Sequence, residues 1–188
     1  MRGYFGIGVE GISKPMNFGA VTRTAHAFGA SFTFSVAVAT SMREIDLVDT
    51  SSSTRNIPFY EFDTTEELML PKECALVGVE ITEDAIDLPS FRHPRCAAYV
   101  VGPERGGLSD AMLGRCDHVV KIPTRFSINV GLASALVMYD RLITLGRFAP
   151  RPEQAGGPSE SRQVPAFGAP AWVRKQRRQA KAAKRDTL

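Results

Sequence analysis

The sequence lacks the features of membrane-spanning, secreted and zinc-binding proteins. No stretch approaches the ~18 consecutive apolar residues that a membrane helix needs, and the first ten residues, MRGYFGIGVE, do not have the pattern of a signal peptide. The three cysteines, Cys74, Cys96 and Cys116, are far apart and form no C-x-x-C pair, which argues against a disulfide scaffold and a zinc site. We therefore expect a soluble, cytoplasmic protein that needs no metal and keeps its thiols reduced and buried.

The chain has enough apolar residues for one domain and carries its excess positive charge at one end. Of its 188 residues, 44% are hydrophobic and 23% are charged, which supports a packed core and excludes general disorder. Residues 151–188 carry nine Lys and Arg against three Asp and Glu, whereas residues 1–150 carry fourteen against seventeen. We expect a folded domain over 1–149, then a Pro/Gly-rich linker and basic tail over 150–188.

The basic tail favours an anionic polymer as partner, and nucleic acid before membrane. Two interpretations stay open. Residues 174–185 could grip RNA phosphates, with Trp172 available for base stacking. Alternatively, they could form a solvated charged helix without a partner.

Apolar runs and capping signals alternate along the first 145 residues in the manner of an α/β protein. The predicted strands are Tyr4–Val9, Phe32–Ala39, Phe59–Phe62, Cys74–Val79, Ala97–Val101 and His118–Ile122. The predicted helices are Phe18–Phe28 between an Asn17 cap and Gly29, one opening at Thr64-Thr-Glu-Glu, Asp110–Leu113 after a Ser109 cap, and Ile128–Leu145. This order predicts a mostly parallel sheet flanked by helices, with ligands beyond the carboxyl ends of the strands.

A glycine-rich segment near the N-terminus matches the dinucleotide-binding pattern but lacks its context. Gly6-Ile-Gly-Val-Glu-Gly11 fits G-x-G-x-x-G. That fingerprint requires a strand before the glycines and a helix after them. Only five residues precede Gly6, and Pro15 follows before a helix can begin, so we do not expect a nicotinamide or flavin site.

Three other segments carry candidate site residues. In the first, Asn17 and Arg23 lie about 1.7 turns apart on a helix and could both reach one cleft, although a capped helix with a surface Arg also fits. In the second, Gly102-Pro-Glu-Arg-Gly-Gly-Leu-Ser109, Gly102 leaves room for a cofactor beside the backbone and Glu104 faces the crevice. That segment lacks the G-K-[ST] ending of a phosphate loop, and it could also be a plain turn.

The third segment, Lys121 to Ala133, brings two small polar side chains to the start of a long helix. Ser127 and Asn129 could cap that helix or bind a ligand there. The helix that follows is apolar almost all round, which predicts burial on several faces, including a subunit interface. His26, His93 and His118 are expected to be structural.

Together the three segments resemble the three motifs of the SpoU/TrmH family of RNA 2′-O-ribose methyltransferases, in the SPOUT superfamily. The resemblance covers about residues 4–147. The matching residues are Asn17, Gly19, Arg23, Thr24 and Ala25 in the first motif, Gly102, Pro103, Glu104, Gly107, Leu108 and Ser109 in the second, and Ile122, Pro123, Ser127, Asn129 and Val130 in the third.

The resemblance implies S-adenosylmethionine as methyl donor, RNA as substrate, a homodimer with the active site near its interface, and a deep C-terminal trefoil knot. It implies donor binding at Gly102, Ile122 and Ile128, with Glu80 as a further candidate. Arg23 is implied to be catalytic, with Asn17, Glu104, Ser127 and Asn129 orienting it and the ribose. Arg23 could stabilise the developing alkoxide by its charge, which we prefer, or accept the proton transiently.

Two departures from the family pattern affect the interpretation. The stretch Ile122–Ser127 is shorter than usual and carries Arg125 and Phe126 where Gly or Pro is frequent. The first strand begins at once, so we expect a minimal form without an extra N-terminal RNA-binding domain. Two functions stay open: 2′-O-methyl transfer to tRNA or rRNA, and a non-catalytic RNA-binding or assembly factor that retains the fold.

Overall fold

The computed structural model describes residues 3–38, 56–103, 106–146, 148–149, 151–152 and 155–157. All elements below belong to the unit Met1–Arg147. The predicted basic helix, Trp172 and the polar run at 50–54 lie outside the described residues. The division into a domain over 1–149 and a tail over 150–188 therefore stays a prediction. Within the described part, no helix is both long and apolar enough to cross a bilayer.

Seven parallel strands form one sheet. They are β1 (Tyr4–Glu10), β2 (Phe32–Val36), β3 (Phe59–Phe62), β4 (Ala75–Val79), β5 (Ile86–Asp87), β6 (Cys96–Val101) and β7 (His118–Lys121). Their spatial order is β3-β2-β1-β6-β4-β7-β5, and every recorded pair is parallel. The predicted mostly parallel α/β sheet is confirmed, while the two-residue strand β5 was missed because it is too short to show a periodic pattern.

The central strands are buried because helices or turns cover both faces of the sheet. Ile7, Val9 and Tyr99 are fully buried on the face beneath the long helices, and Ala98 and Val100 on the other face. Burial on both faces explains why these strands read as continuous apolar runs.

The glycines of the dismissed dinucleotide pattern have a packing role. A Cβ on Gly6 would collide with the ring of Phe32, and one on Gly8 with the ring of Phe34. Both glycines lie inside β1, so they make room for aromatic side chains of the neighbouring strand β2. This placement agrees with the exclusion of a dinucleotide fingerprint.

In the described part of the chain, three α-helices accompany the sheet: α1 (Pro15–Phe28), α2 (Asp110–Arg115) and α3 (Val130–Leu145). The predicted start of α1 was wrong, because Pro15 occupies its first position, where a missing N–H costs nothing, and Asn17 lies inside the first turn. The predicted stop is confirmed, since Gly29 adopts a left-handed conformation with φ 76°. Helix α3 begins two residues later than predicted, after Asn129, whose side chain accepts from the Gly131 N–H.

The helix predicted at Thr64 is absent from the described structure, where residues 64–67 form only a turn. The capping signals do form, since Thr64 Oγ1 accepts from the Glu67 N–H at 3.3 Å. The guanidinium of Arg115, however, donates to the carbonyls of Thr65 and Leu68. The Leu68 N–H also donates to the Thr65 carbonyl at 3.3 Å, so one turn forms. Pro71, which lacks an N–H, lies three residues beyond that turn.

Helix α3 runs from the carboxyl ends of the strands to their amino ends. Near its C-terminus, the buried Arg141 donates to the carbonyls of Tyr4, Pro94 and Arg95, all at the amino ends of β1 and β6. The two Nη groups of Arg141 are satisfied in this way, which offsets much of the cost of burying the guanidinium, while its Nε has no recorded partner among the described residues. This anchor fixes the orientation of α3 and places its first turn at the opposite end of the sheet.

Candidate active site at the carboxyl ends of the central strands

A cleft of about 120 Å³ opens where β4, β6 and β7 end beside the start of α3. The strand register aligns these ends, because Val79 pairs with Val101 and with Val120. The lining residues are Val79, Glu80, Ile81, Val101, Gly102, Pro103, Gly107, Lys121, Ile122, Thr124, Ser127, Ile128, Val130 and Ala133. Its mixture of apolar side chains with a few polar groups is typical of sites for small ligands and cofactors.

The glycine-rich loop after β6 folds tightly back on itself. A Cβ on Gly102 would lie 2.6 Å from the backbone of Gly107 and Leu108, so this position admits glycine alone without movement of the loop. Gly106 and Gly107 have φ values of +99° and +70°, which residues with a Cβ rarely adopt. The space at Gly102 was expected to admit a cofactor; the chain itself fills it. Glu104 lies outside the described residues.

Glu80 fastens this loop from the side of β4. One of its carboxylate oxygens accepts from the Leu108 N–H at 2.9 Å, and the other accepts from the Ile81 N–H at 2.8 Å. A Cβ on Gly107 would lie 2.5 Å from the Glu80 carboxylate, so the glycine also makes room for this contact. Glu80 therefore lines the cleft as the residue that shapes its loop.

Glu10 fastens the same loop from the side of β1. Its buried carboxylate accepts from Ser109 N at 2.9 Å, from Ser109 Oγ at 2.6 Å and from Thr65 Oγ1 at 3.1 Å. Ser109 Oγ in turn accepts from Met112 N and so caps α2, as predicted. Three donors compensate the carboxylate for the water it loses on burial.

Glu10 and Glu80 together form a pair that we call the carboxylate clamp. Strand β6 lies between β1 and β4, so the loop that leaves it is held from both neighbouring strands. The two carboxylates accept from consecutive backbone N–H groups, those of Leu108 and Ser109. Such fixation keeps the cleft wall in one shape before any ligand binds.

The loop after β7 is also tied to itself. Thr124 donates its N–H to the Ile122 carbonyl at 2.7 Å and its hydroxyl to the Phe126 carbonyl at 2.9 Å. The amine of Lys121, at the end of β7, donates to the Thr82 carbonyl at 3.3 Å. Lys121 and Thr124 thus line the cleft alongside the predicted Ser127.

A side-chain contact joins the first and third predicted segments. Asn129 Nδ2 donates to Asn17 Oδ1 at 3.4 Å, across the starts of α3 and α1. The helices approach closely there, because a Cβ on Gly131 would lie only 3.1 Å from that of Ala20. Asn17 therefore stands beside the helix start that forms one wall of the cleft.

Arg23 is exposed on α1 and is not among the lining residues of the cleft. Six helical positions correspond to about 600°, so its side chain leaves α1 roughly 120° away from the face of Asn17. Among the described residues, none forms an ion pair or hydrogen bond with Arg23 that the structure records. Within one chain, the expected approach of Arg23 and Asn17 to a common cleft mouth is therefore not observed.

The described candidates fall into three groups by position. Those in the cleft wall are Glu80, Gly102, Ile122, Ser127 and Ile128, those joined beside it are Asn17 and Asn129, and Arg23 lies outside it. Glu10, Lys121 and Thr124 were missed. The available signal for Glu10 was an acidic residue at the end of a buried strand, which was set aside with the glycine pattern around it.

The thiol of Cys116, the residue that follows α2, stays in its neutral form. Burial raises the pKa of its thiol to about 11, and its sulfur would lie 3.0 Å from a Cβ on Gly78. Because the thiolate is the reactive form, this cysteine is a packing residue. At the far end of the sheet, burial lowers the pKa of His93, whose ring bonds to Tyr99 and Asp140.

The chain is similar in sequence to known RNA methyltransferases. The chain is 29% identical to the 23S rRNA (guanosine-2′-O-)-methyltransferase RlmB of Nitrosomonas europaea over 70% of this chain and 53% of that protein. It is 23% identical to the tRNA (guanosine(18)-2′-O)-methyltransferase of Escherichia coli, over 70% of this chain and 60% of that protein. This chain thus spans little more than half the length of these relatives.

The fold also matches the SpoU methyltransferase AviRb of Streptomyces viridochromogenes, solved in complex with AdoMet. The TM-score is 0.69 at 24% identity, over 78% of this chain and 60% of that one. The model of the SpoU rRNA Methylase family matches residues 5–139 and so covers the whole sheet and most of α3. The family predicted from the three motifs is thereby confirmed: this chain belongs to the SpoU rRNA Methylase family.

Proposed function

We propose that this protein transfers a methyl group from S-adenosylmethionine to a ribose 2′-hydroxyl of tRNA or rRNA. The observation that carries the proposal is the cleft held in shape by the carboxylate clamp, in a chain of this family. The relatives named as guanosine 2′-O-methyltransferases support the reaction class. The sequence match does not choose between tRNA and rRNA, since relatives of both kinds occur.

The residues of the cleft fit the proposed methyl donor. Its apolar wall, with Val79, Val101, Ile128 and Val130, suits the faces of an adenine and a thioether-like chain. Backbone groups at Gly102 and Ile122 would bind the donor's polar atoms. When bound, S-adenosylmethionine supplies an electrophilic methyl group on a sulfonium. The protein's remaining task is to align the ribose oxygen and to stabilise the charge that develops on it.

Arg23 is the proposed source of that stabilisation. A guanidinium keeps its proton in proteins, so we favour an electrostatic role in which Arg23 binds a phosphate and the developing alkoxide. The new bond joins the ribose oxygen to the methyl carbon as the bond from that carbon to sulfur breaks, S-adenosylhomocysteine leaves, and the hydroxyl proton passes late to solvent water. Asn17 at the start of α1, and Ser127 and Asn129 just before α3, would orient the ribose. Glu104 is proposed to assist from the loop after β6.

A homodimer is proposed to complete the site. Leu132, Leu136 and Tyr139 lie at helical spacing on α3 and are 61%, 43% and 50% exposed, which forms an unusual apolar stripe on one chain. Since Arg23 lies outside the cleft of its own chain, pairing of two chains offers a way to bring it to a cleft. We also propose that the backbone forms the deep trefoil knot. A backbone path that becomes a straight line when its two ends are pulled apart would contradict the knot.

The central experiment measures methyl transfer. The purified chain is incubated with labelled S-adenosylmethionine and total RNA from a strain that lacks the protein, and 2′-O-methyl positions are mapped. We expect one newly 2′-O-methylated position. We expect the Arg23→Ala variant to lose methyl transfer but still to bind S-adenosylhomocysteine in calorimetry. A chain that binds RNA but releases no heat with S-adenosylhomocysteine would instead be a non-catalytic RNA-binding factor. Full transfer by Arg23→Ala would remove Arg23 from the mechanism.

A further inference from the structure

The loop after β7 presents an aromatic ring and a cation at the rim of the cleft. Phe126 is 75% exposed, and Arg125 beside it is exposed as well. We propose that Phe126 stacks on an unpaired base of the RNA next to the target ribose, while Arg125 binds a neighbouring phosphate. This inference rests on the proposed function and names the part of the substrate that the rim recognises.

Phe126 is the most exposed phenylalanine in the described part of the chain. Phe5, Phe18 and Phe34 are buried in the core. Within the described part of the chain, the ring of Phe126 takes part in no recorded stacking or edge contact. Such an exposed ring offers a free face on which a nucleobase can stack.

The backbone beneath the ring is fixed, so the exposure does not arise from a loose loop. The Phe126 carbonyl accepts from Thr124 Oγ1, and the Thr124 N–H is bound to the Ile122 carbonyl. On the other side, Ser127 lines the cleft and Asn129 caps α3. A pre-ordered ring pays less entropy when it binds a ligand.

The position of the ring favours a nucleobase as its occupant. Thr124 and Ser127, which flank Arg125 and Phe126 in the sequence, both line the cleft. Consecutive Cα atoms are about 3.8 Å apart, so a nucleotide adjoining one that reacts in the cleft falls within reach of Phe126. Every base offers a π-face for stacking, and RNA phosphates offer the charge that Arg125 attracts. The fold does not require the side chains of Arg125 and Phe126, since both project into solvent.

The test compares three variants with a control of equal exposure. Phe126→Ala, Phe126→Tyr and Arg125→Gln are each measured for affinity to total tRNA and total rRNA at several salt concentrations. Met69→Ala is the control, because Met69 is 78% exposed and does not line the cleft. Calorimetry with S-adenosylhomocysteine and sedimentation velocity are run on every variant.

We expect Phe126→Ala to weaken RNA affinity about 10-fold, from the usual effect of removing one stacking ring, and Phe126→Tyr to restore it. Arg125→Gln should lower the slope of log affinity against log salt by about one. S-adenosylhomocysteine affinity and sedimentation should not change. Unchanged RNA affinity in Phe126→Ala overturns the inference, and so does loss of the dimer in that variant, which would make Phe126 an interface residue.

The outcomes separate this inference from the proposed function. If the wild-type chain methylates RNA and Phe126→Ala binds RNA equally well, the inference alone is wrong. If the wild-type chain binds RNA without methylating it, the proposed function is wrong, and the stacking contact is still measured by affinity. A wild-type chain that binds neither tRNA nor rRNA overturns both.

Discussion

Glu10→Gln should loosen the cleft from a position that does not line it. The carboxylate of Glu10 holds the N–H and hydroxyl of Ser109 and the hydroxyl of Thr65. A glutamine keeps one acceptor oxygen but turns an NH₂ group toward donors and removes the charge. Hydrogen bonds to charged groups are worth about 1.5–3 kcal/mol each, and partial replacement leaves an expected loss of about 2 kcal/mol in the free energy of unfolding.

The same change should also weaken the binding of S-adenosylhomocysteine. Without the grip on Ser109, the loop after β6 is held by Glu80 alone and must be ordered when the ligand binds. A cost of about 1.4 kcal/mol corresponds to a tenfold lower affinity. The assay pairs urea unfolding with calorimetry, and Glu61→Gln is the matched control, because Glu61 is exposed on β3 and surface substitutions usually change stability by less than about 0.5 kcal/mol.

A double-mutant cycle tests the reason for the effect. Ser109→Ala removes one partner of Glu10 and the cap of α2, so its own cost includes both. If the two residues act through their mutual bond, the double variant should cost about 1 kcal/mol less than the sum of the single variants. Additive costs, or a Glu10→Gln variant as stable and as tight-binding as the wild type, would refute the clamp.

Three further predictions concern other parts of the molecule. Gly102→Ala should displace the loop, because the new Cβ meets the backbone of Leu108 at 2.6 Å; we expect a loss of at least 2 kcal/mol in unfolding free energy and no detectable S-adenosylhomocysteine binding. Burial lowers the pKa of His93 below its ordinary 6.5. Below that pH the unfolded chain binds a proton that the folded chain does not. The free energy of unfolding should therefore be constant above about pH 6.5 and fall by up to about 1.4 kcal/mol per pH unit below it. His93→Gln should abolish that slope in urea unfolding at pH 5.5 and 7.5, and an unchanged slope would assign it to other groups. Leu136→Arg should give a monomer in sedimentation velocity with a folded circular dichroism spectrum; a persistent dimer would place the interface elsewhere.

Local signals in the sequence predicted local structure well. The Gly29 stop and the Ser109 cap were found because the residue and its hydrogen-bond partner lie within a few positions of each other. The strand runs were found because burial on both faces leaves a continuous apolar pattern. The motif resemblance located five residues of the cleft wall, since the loops that carry them follow predicted strands.

The errors come from contacts that are distant in the chain. The predicted helix at Thr64 stops after one turn, and Arg115, about 50 positions later, binds the carbonyls of that turn, a contact that the local capping signals do not show. Glu10 was missed because its partner Ser109 lies 99 positions away. Arg23 was placed correctly on a helix. The direction of its side chain, however, depends on which face of α1 packs against the sheet, and capping residues show where a helix begins and ends but not which face packs.

The two outer strands of the described sheet are short: β3 has four residues and β5 has two. Such short rims offer few free N–H and C=O groups to a strand from another molecule, and Glu61 adds a charge to one of them. Fibrillar growth by strand addition is therefore disfavoured in the native state. The proposed pairing of two chains would instead use helical surfaces.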